Sequence, residues 1–343
     1  MLRAAPSISM IRFGIAGFGL HAAKRLMPGF ALAKNCTVVA LSRRESVKAR
    51  AAAEQYAIPH VFSSTEELSR CNDVDAVLVT TPNVCHLQDV LTAVSAGKPV
   101  LCEKPMGMNA AQCREMVEAA RQAGVLLGVA QVFRFEESTA LLRRRLAAGD
   151  IGRPIFARAE FSYPGLNHSR AWLNNRSIAG GGPIADVGVH CIDALRFVLQ
   201  DEPKFVTTLA RADEHSGDVE AAAILTFEFH KGTLATVLVS TRAQYRTPFE
   251  IVGTAGVLRV DDALNVDRPI TLQLWQGGKL IAEDSVSNRL AYANQVDAFA
   301  AAVEKREEFP VSGAEGLQNQ IILDAAYRSL FECSRESIPH SEP

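Results

Sequence analysis

Three things are scarce in this 343-residue chain, and each absence removes a class of explanation. Paired cysteines are missing. The seven thiols, Cys36, Cys71, Cys85, Cys102, Cys113, Cys191 and Cys333, are odd in number and nowhere form Cys-x-x-Cys. Scattered among apolar neighbours, they argue against a disulfide frame or a zinc site and for reduced thiols in a cytoplasmic protein. Charge of one sign is also missing, since 36 Lys+Arg face 38 Asp+Glu for a net of −2. That balance lacks the basic footprint a nucleic acid or an anionic membrane surface would require. Long apolar runs are the third absence. After Met1-Leu2-Arg3, the opening run is broken by Pro6 and Arg12 before it reaches signal or membrane-span length. Residues 1–10 read as a loose tail left by a start upstream of Met10.

What remains is ordinary globular composition, 48% hydrophobic and 22% charged, enough for buried cores. At about 150 residues per domain the length predicts two domains. From residue 11 to 131, apolar β-type runs (11–17, 37–42, 75–80, 99–103, 125–131) alternate with amphipathic helical stretches (20–33, 46–56, 84–96, 109–123). Near-continuous apolar strands separated by helices are the pattern of a parallel sheet covered on both faces. After a further helix at 136–148 the pattern becomes largely β. Strands are predicted at 155–163, 204–211, 219–229, 233–241, 247–252, 256–260 and 270–275, with helices near 183–199, 290–305 and 313–334. The expected architecture is α/β: a Rossmann domain over 11–133, then an α+β domain over 134–343 with a large, open, mainly antiparallel sheet.

The first strand runs into Gly17-Phe18-Gly19-Leu20-His21-Ala22, a G-x-G-x-x-A turn at a strand-to-helix junction. Gly17 would permit the tight turn, Gly19 the approach of a pyrophosphate, and Ala22 close helix packing. Such a loop binds a dinucleotide through free N–H groups at a helix start, so residues 17–20 are cofactor-binding candidates. The second strand then ends in Ser42-Arg43-Arg44, without the acid that would hold the ribose hydroxyls of NAD. A hydroxyl and two guanidinium groups suit a 2′-phosphate. NADP is therefore the preferred cofactor, with NAD the alternative; a solvated basic turn is the plain reading of the same residues.

Two clusters carry chemistry. The fourth predicted strand ends in Glu103-Lys104-Pro105, which places an ammonium at the cofactor edge of the sheet. Pro105 keeps Lys104 out of helical geometry; a surface Lys-Pro turn is the bland alternative. Further on, Gly180-Gly181-Gly182-Pro183 opens a helix bearing Asp186, His190 and Asp193 at i, i+4 and i+7. The glycines would let the backbone pass close to a ligand. Same-face carboxylates would orient the imidazole and hold its charged form. His190 also fits a hydrogen-bonded core histidine, and Asp193 a structural partner.

These residues, with Thr81-Pro82-Asn83 and His86, the Tyr292-x-x-Gln295-x-x-x-Phe299 helix and Gly313-x-Glu315-Gly316, resemble the Gfo/Idh/MocA family. The family is named after glucose–fructose oxidoreductase, inositol dehydrogenase and a rhizopine-catabolism protein, and the likeness runs along nearly the whole chain. The resemblance implies an NAD(P)-dependent dehydrogenase acting on a sugar or polyol, a homodimer or homotetramer assembled through the second sheet. It implies a catalytic group of Lys104, Asp186 and His190, the last moving the proton. It places Thr81, Pro82, Asn83, His86 and Glu103 around the nicotinamide and its ribose, and Arg134 and Trp172 at the substrate. No metal is expected. Two rivals share the scaffold: a glycosidase using bound NAD for transient oxidation, and a non-catalytic dinucleotide sensor.

Overall fold

The computed structural model describes residues 10–165 and 170–340. The expected tail, apart from Met10, lies outside the described residues. The first sheet holds β1 (Ile11–Ala16), β2 (Cys36–Ser42), β3 (His60–Phe62), β4 (Ala76–Val79), β5 (Val100–Glu103) and β6 (Leu127–Ala130). All six run parallel, in the order β3-β2-β1-β4-β5-β6. Strands β4, β5 and β6 are buried along their length, which is why they read as unbroken apolar runs. Strand order reverses between β1 and β4, and the crevice at such a reversal is where doubly wound sheets take ligands.

Helices α1 (Met27–Phe30), α2 (Ser46–Tyr56), α3 (Thr65–Ser69), α4 (His86–Ser95) and α5 (Ala110–Ala123) connect these strands. Their ends follow local chemistry. The Asn109 side chain accepts the Gln112 N–H at the start of α5, and Gly124 ends it in the left-handed conformation. The single helix predicted over 20–33 is instead a wide π-type turn, Ala22–Leu26, running into the short α1. Strand β3 and helix α3 were not anticipated, because three and five residues are too short to show a period.

The second layer follows α6 (Glu137–Ala147). Strands β7 (Pro154–Ser162), β8 (Pro203–Arg211), β9 (Ala222–Phe229), β10 (Leu234–Ser240), β11 (Phe249–Gly253), β12 (Val257–Val260), β13 (Pro269–Gln276), β14 (Lys279–Ser287) and β15 (Glu336–Ser337) form one sheet. Its order is β14-β13-β12-β11-β7-β10-β9-β8-β15, antiparallel except where β7 pairs with β10. One face is covered by α8 (Val189–Leu199) and α10 (Gly313–Glu332); the short α7 (Arg176–Ala179) lies beside the cleft.

The boundary drawn at 133/134 falls just after β6, yet α9 (Ala291–Lys305) returns to the first sheet. Asp297 on α9 accepts the N–H groups of Lys34 and Asn35 at 2.9 and 3.1 Å. Phe299 lies 6.0 Å from Phe13 and 5.2 Å from Phe309. Helix α10 packs on both α5 and β8, so the two layers share one core with the cleft between them.

Candidate active site

At the tip of β1, Gly17 has φ +82°, and a Cβ there would lie 2.5 Å from Thr81 Cγ2 and 2.8 Å from its backbone nitrogen. Only glycine fits that turn. The N–H groups of Gly17 and Phe18 both bond the Ser42 carbonyl, at 3.1 and 2.9 Å. A Cβ on Gly19 would meet nothing nearer than 3.6 Å, so the surface above it is open. A cavity of about 960 Å³ begins here, walled by Phe18, Ser42, Arg43 and Arg44 on one side and Thr81 and Pro82 on the other. A second cavity of about 210 Å³ shares Gly17, Gly19, Thr81 and Pro82 with it and continues past Leu20 and Asn83 to Lys104 and Trp172. Together they make an elongated channel over a glycine cradle, which fits a dinucleotide laid across the switch point.

Neighbouring turns brace this channel. His86 is buried, its ring nitrogens 2.9 Å from the Thr81 carbonyl and 3.0 Å from that of Pro105. Burial pulls its pKa down against those two carbonyls. It therefore ties the 81–83 turn to the 104–105 turn, across a cis Lys104–Pro105 bond. Asn83 donates to the Ala179 carbonyl at 2.8 Å. Glu103 accepts the Lys104 N–H and bonds His21 Nε2 at 2.9 Å.

Beyond Lys104 lies a third cavity of about 300 Å³, lined by Lys104, Asp186 and His190, with Phe133, Phe161 and Tyr292 among its apolar walls. Lys104 and Asp186 line both this cavity and the channel. Lys104 Nζ donates to the Asp186 carbonyl at 2.7 Å and stands 3.5 Å from its Oδ1. The Tyr163 hydroxyl donates to Asp186 Oδ2 at 2.7 Å, and an Arg170 guanidinium nitrogen lies 3.8 Å from it. Burial disfavours the Asp186 anion, yet Lys104, Arg170 and Tyr163 outweigh it and hold the carboxyl well below the usual range. For His190 the expectation was a charged ring. Burial, reinforced by Lys104, instead pushes its pKa well below normal against the pull of Asp186. The structure favours neutral imidazole, the form that takes up a proton.

Known proteins place this geometry. Residues 11–131 match the oxidoreductase family with an NAD-binding Rossmann fold, and residues 139–259 the GFO/IDH/MocA C-terminal domain. The 1,5-anhydro-D-fructose reductase of Ensifer adhaerens is 33% identical over 313 residues, covering 90% of this chain and 92% of that one. The trans-1,2-dihydrobenzene-1,2-diol dehydrogenase of Bos taurus is 31% identical over 74% of each chain. An aldose–aldose oxidoreductase from Caulobacter crescentus, solved with glycerol, superposes with a TM-score of 0.89 at 25% identity, over 96% of this chain and 99% of that one. The chain belongs to the GFO/IDH/MocA family of oxidoreductases.

Within this oxidoreductase, several singled-out residues take other places. Arg134 is not among the residues lining the third cavity. Its guanidinium is held by Asp193 at 2.6 and 2.8 Å and by Glu315 at 2.6 Å, in a network that includes Asn319 and Arg196. Asp193 thus ties α8 to α10 and stands away from Asp186 and His190. The i, i+4, i+7 spacing assumed a regular helix, whereas the wide turn over Ile184–Gly188 breaks that register. Trp172 lines the channel, not the third cavity. Ser42 keeps its expected place in the channel wall; it is buried, and its hydroxyl, accepting the Gly17 N–H at 3.3 Å, also braces the loop.

The triple glycine is crowded by protein. A Cβ on Gly181 would overlap the Tyr327 hydroxyl, and one on Gly182 would lie 2.2 Å from the Glu220 carbonyl. Glu220 was missed from sequence: buried, it accepts the N–H groups of Gly182 and Ile184, each at 3.0 Å, and the Tyr327 hydroxyl at 2.9 Å. It caps the turn that carries Asp186. His21 and Tyr163, which line the cavity, and buried Gln131, which contacts His190, were missed too, because nothing in a single His, Gln or Tyr marks such a place. Among the described residues one group, His60, Cys71 and Asp73, has metal-compatible spacing; Asp73 is paired with Arg12, and none of the three lines the cleft.

Proposed function

We propose that this oxidoreductase moves hydride between a nicotinamide dinucleotide, NADP in preference to NAD, and a carbinol or carbonyl carbon of a sugar or polyol. The observation that carries the reading is that Lys104 and Asp186 line both the channel and the substrate cavity, with His190 beside them. A reacting carbon placed there would lie where the two meet. The dinucleotide, held by residues 17–20, Arg43, Arg44 and the 81–83 turn, supplies the hydride acceptor or donor when bound.

In oxidation, neutral His190 takes the hydroxyl proton while Lys104 holds the same oxygen and stabilises its growing negative charge. Asp186, kept ionised, fixes the Lys104 ammonium and accepts from a neighbouring substrate hydroxyl. Phe133, Phe161 and Tyr292 offer flat apolar walls to the C–H faces of a ring. The relatives above are named for an anhydrofructose, a cyclic diol and aldoses, compounds that fit such a mixed cavity.

For the cofactor, Arg43 and Arg44 stand at the mouth of the larger cavity with Glu45, which pairs with Arg43 at 3.7 Å and Lys48 at 2.7 Å. Arg43 and Arg44 face the Glu45 and Asp89 carboxylates across the same cavity, and their planar donor forks suit a 2′-phosphate. For assembly, the uncovered face of the second sheet exposes Phe156, Leu209, Ile224 and Leu234. An apolar face of that extent fits a homo-oligomer formed through the sheet.

A panel of aldoses, ketoses, inositols and diols, each followed at 340 nm with NADP(H) and NAD(H), tests the reading. Cofactor turnover with at least one neutral polyol or sugar is expected, faster with NADP(H). Substrate consumption with no net cofactor change would point to the hydrolytic rival.

A further inference from the structure

Gln131 follows directly on β6, with its backbone pinned: its N–H bonds the Val129 carbonyl at 2.9 Å and its own carbonyl accepts from Arg134 at 3.1 Å. The side chain is 1% exposed, and its Oε1 stands 3.2 Å from His190 Nδ1. We propose that Gln131 is a positioning residue that selects the Nδ1–H tautomer of His190 and so leaves Nε2 as the proton acceptor. The inference rests on the proposed role of His190 and adds what makes one ring nitrogen the reactive one.

An amide oxygen only accepts hydrogen bonds, so the contact requires the proton on Nδ1. A neutral imidazole has a single N–H, and a proton on Nδ1 places the lone pair on Nε2. Two rings restrain the imidazole: Phe133 at 4.4 Å between centroids and Phe161 at 6.2 Å, nearly parallel. The other end of the amide supports the same reading. Gln131 Nε2 is buried without a hydrogen-bond partner among the described residues. An unmet buried donor is destabilising, so burial alone would favour leucine here. Retaining the amide is understandable if its oxygen is needed at the ring.

The choice of an amide over a carboxylate also matters. Lys104 from the turn after β5, His21 from the loop after β1 and Asp186 from the preceding helical turn face His190. The first two disfavour an imidazolium and the third favours it. Gln131 sets the direction of the N–H without adding a second negative charge, so the ring stays an uncharged base into mild acid. A carboxylate at 131 would orient the same N–H and also hold the ring protonated.

The test is the pH dependence of kcat/KM for polyol oxidation by the intact enzyme, with the wild type beside Gln131→Glu, Gln131→Leu and His190→Asn. Gln131→Glu is expected to move the acid limb up by about one pH unit. Gln131→Leu is expected to lower kcat about tenfold, less than the roughly 10²–10⁴-fold that loss of the base itself would cost, with little change in KM. Spectra of 15N-histidine-labelled protein, assigned by the signal lost in His190→Asn, should show the Nδ1–H form in the wild type and a mixture in Gln131→Leu. If Gln131→Glu does not fold, the near-isosteric Gln131→Met, which lacks the amide acceptor, should show the same loss of tautomer preference. Wild-type profiles and tautomers in every Gln131 variant, with His190→Asn impaired, would overturn the role of Gln131 and leave that of His190 standing. Full turnover by His190→Asn would remove the base itself, and the proposal with it.

Discussion

His190 sits where burial and a neighbouring ammonium hold its ring neutral, and this single residue sets an expected pH behaviour. The base form should persist below the ordinary imidazole range near 6.5, so the acid limb of the oxidation rate should lie below about pH 6.5. Stability runs the same way: on acidification the unfolded chain takes up a proton that folded His190 resists, so this residue withdraws stability as pH falls through about 6.5. Comparing initial rates and denaturant midpoints across pH checks both signs. At the other end of the channel, Arg43→Ala should raise KM for NADP about tenfold or more, by loss of a charge-assisted contact, and leave KM for NAD nearly unchanged. Equal effects on both cofactors would contradict the 2′-phosphate reading. That Lys104, Asp186 and His190 meet at one cavity could be anticipated from the sequence, because their motifs bring unusual residue types to strand and helix ends. Gln131 and Tyr163 were not, since their roles depend on neighbours 59 and 23 residues away. Arg134 misled for the same reason: its partner Glu315 lies 181 residues on.

Whole elements show which signals a sequence carries. Strands such as β1, β5 and β9 appeared where apolar runs or alternation placed them. Strand β14 did not, because Lys279–Ser287 is an edge strand mostly open to solvent and rich in polar residues. The turn holding Asp186 depends on Glu220, which satisfies two buried N–H groups and a tyrosine hydroxyl. Glu220→Ala should cost about 3 kcal/mol, the range for buried groups left unpaired, and should reduce kcat by loosening Asp186. Unfolding in urea with parallel kinetics measures both; an unchanged midpoint would deny the capping role. Arg134→Met should cost about 2 kcal/mol, because it removes the charged hydrogen bonds to Asp193 and Glu315 while Arg196 still stands 3.7 and 3.2 Å from the two carboxylates. Properly folded Arg134→Met enzyme should keep its substrate KM.

For the whole molecule, α10 meets both α5 and β8, and the buried side chains of the two layers form one core around the cleft. Among the described residues no helix is long and apolar enough to cross a membrane. The exposed face of the second sheet is where assembly is expected. Leu209→Glu with Ile224→Lys should shift the particle toward monomer in sedimentation velocity, and an unchanged distribution would place the interface elsewhere. The central claim concerns the cleft itself: hydride transfer with His190 as the proton acceptor. It is tested most directly by following 340 nm absorbance with NADP⁺ and the best polyol from the panel, for wild type and His190→Asn at matched cofactor occupancy. Reduced cofactor should accumulate with the wild type, and the variant should be slower by about 10²–10⁴-fold. Equal rates in the two proteins, or substrate turnover without any rise at 340 nm, would contradict it.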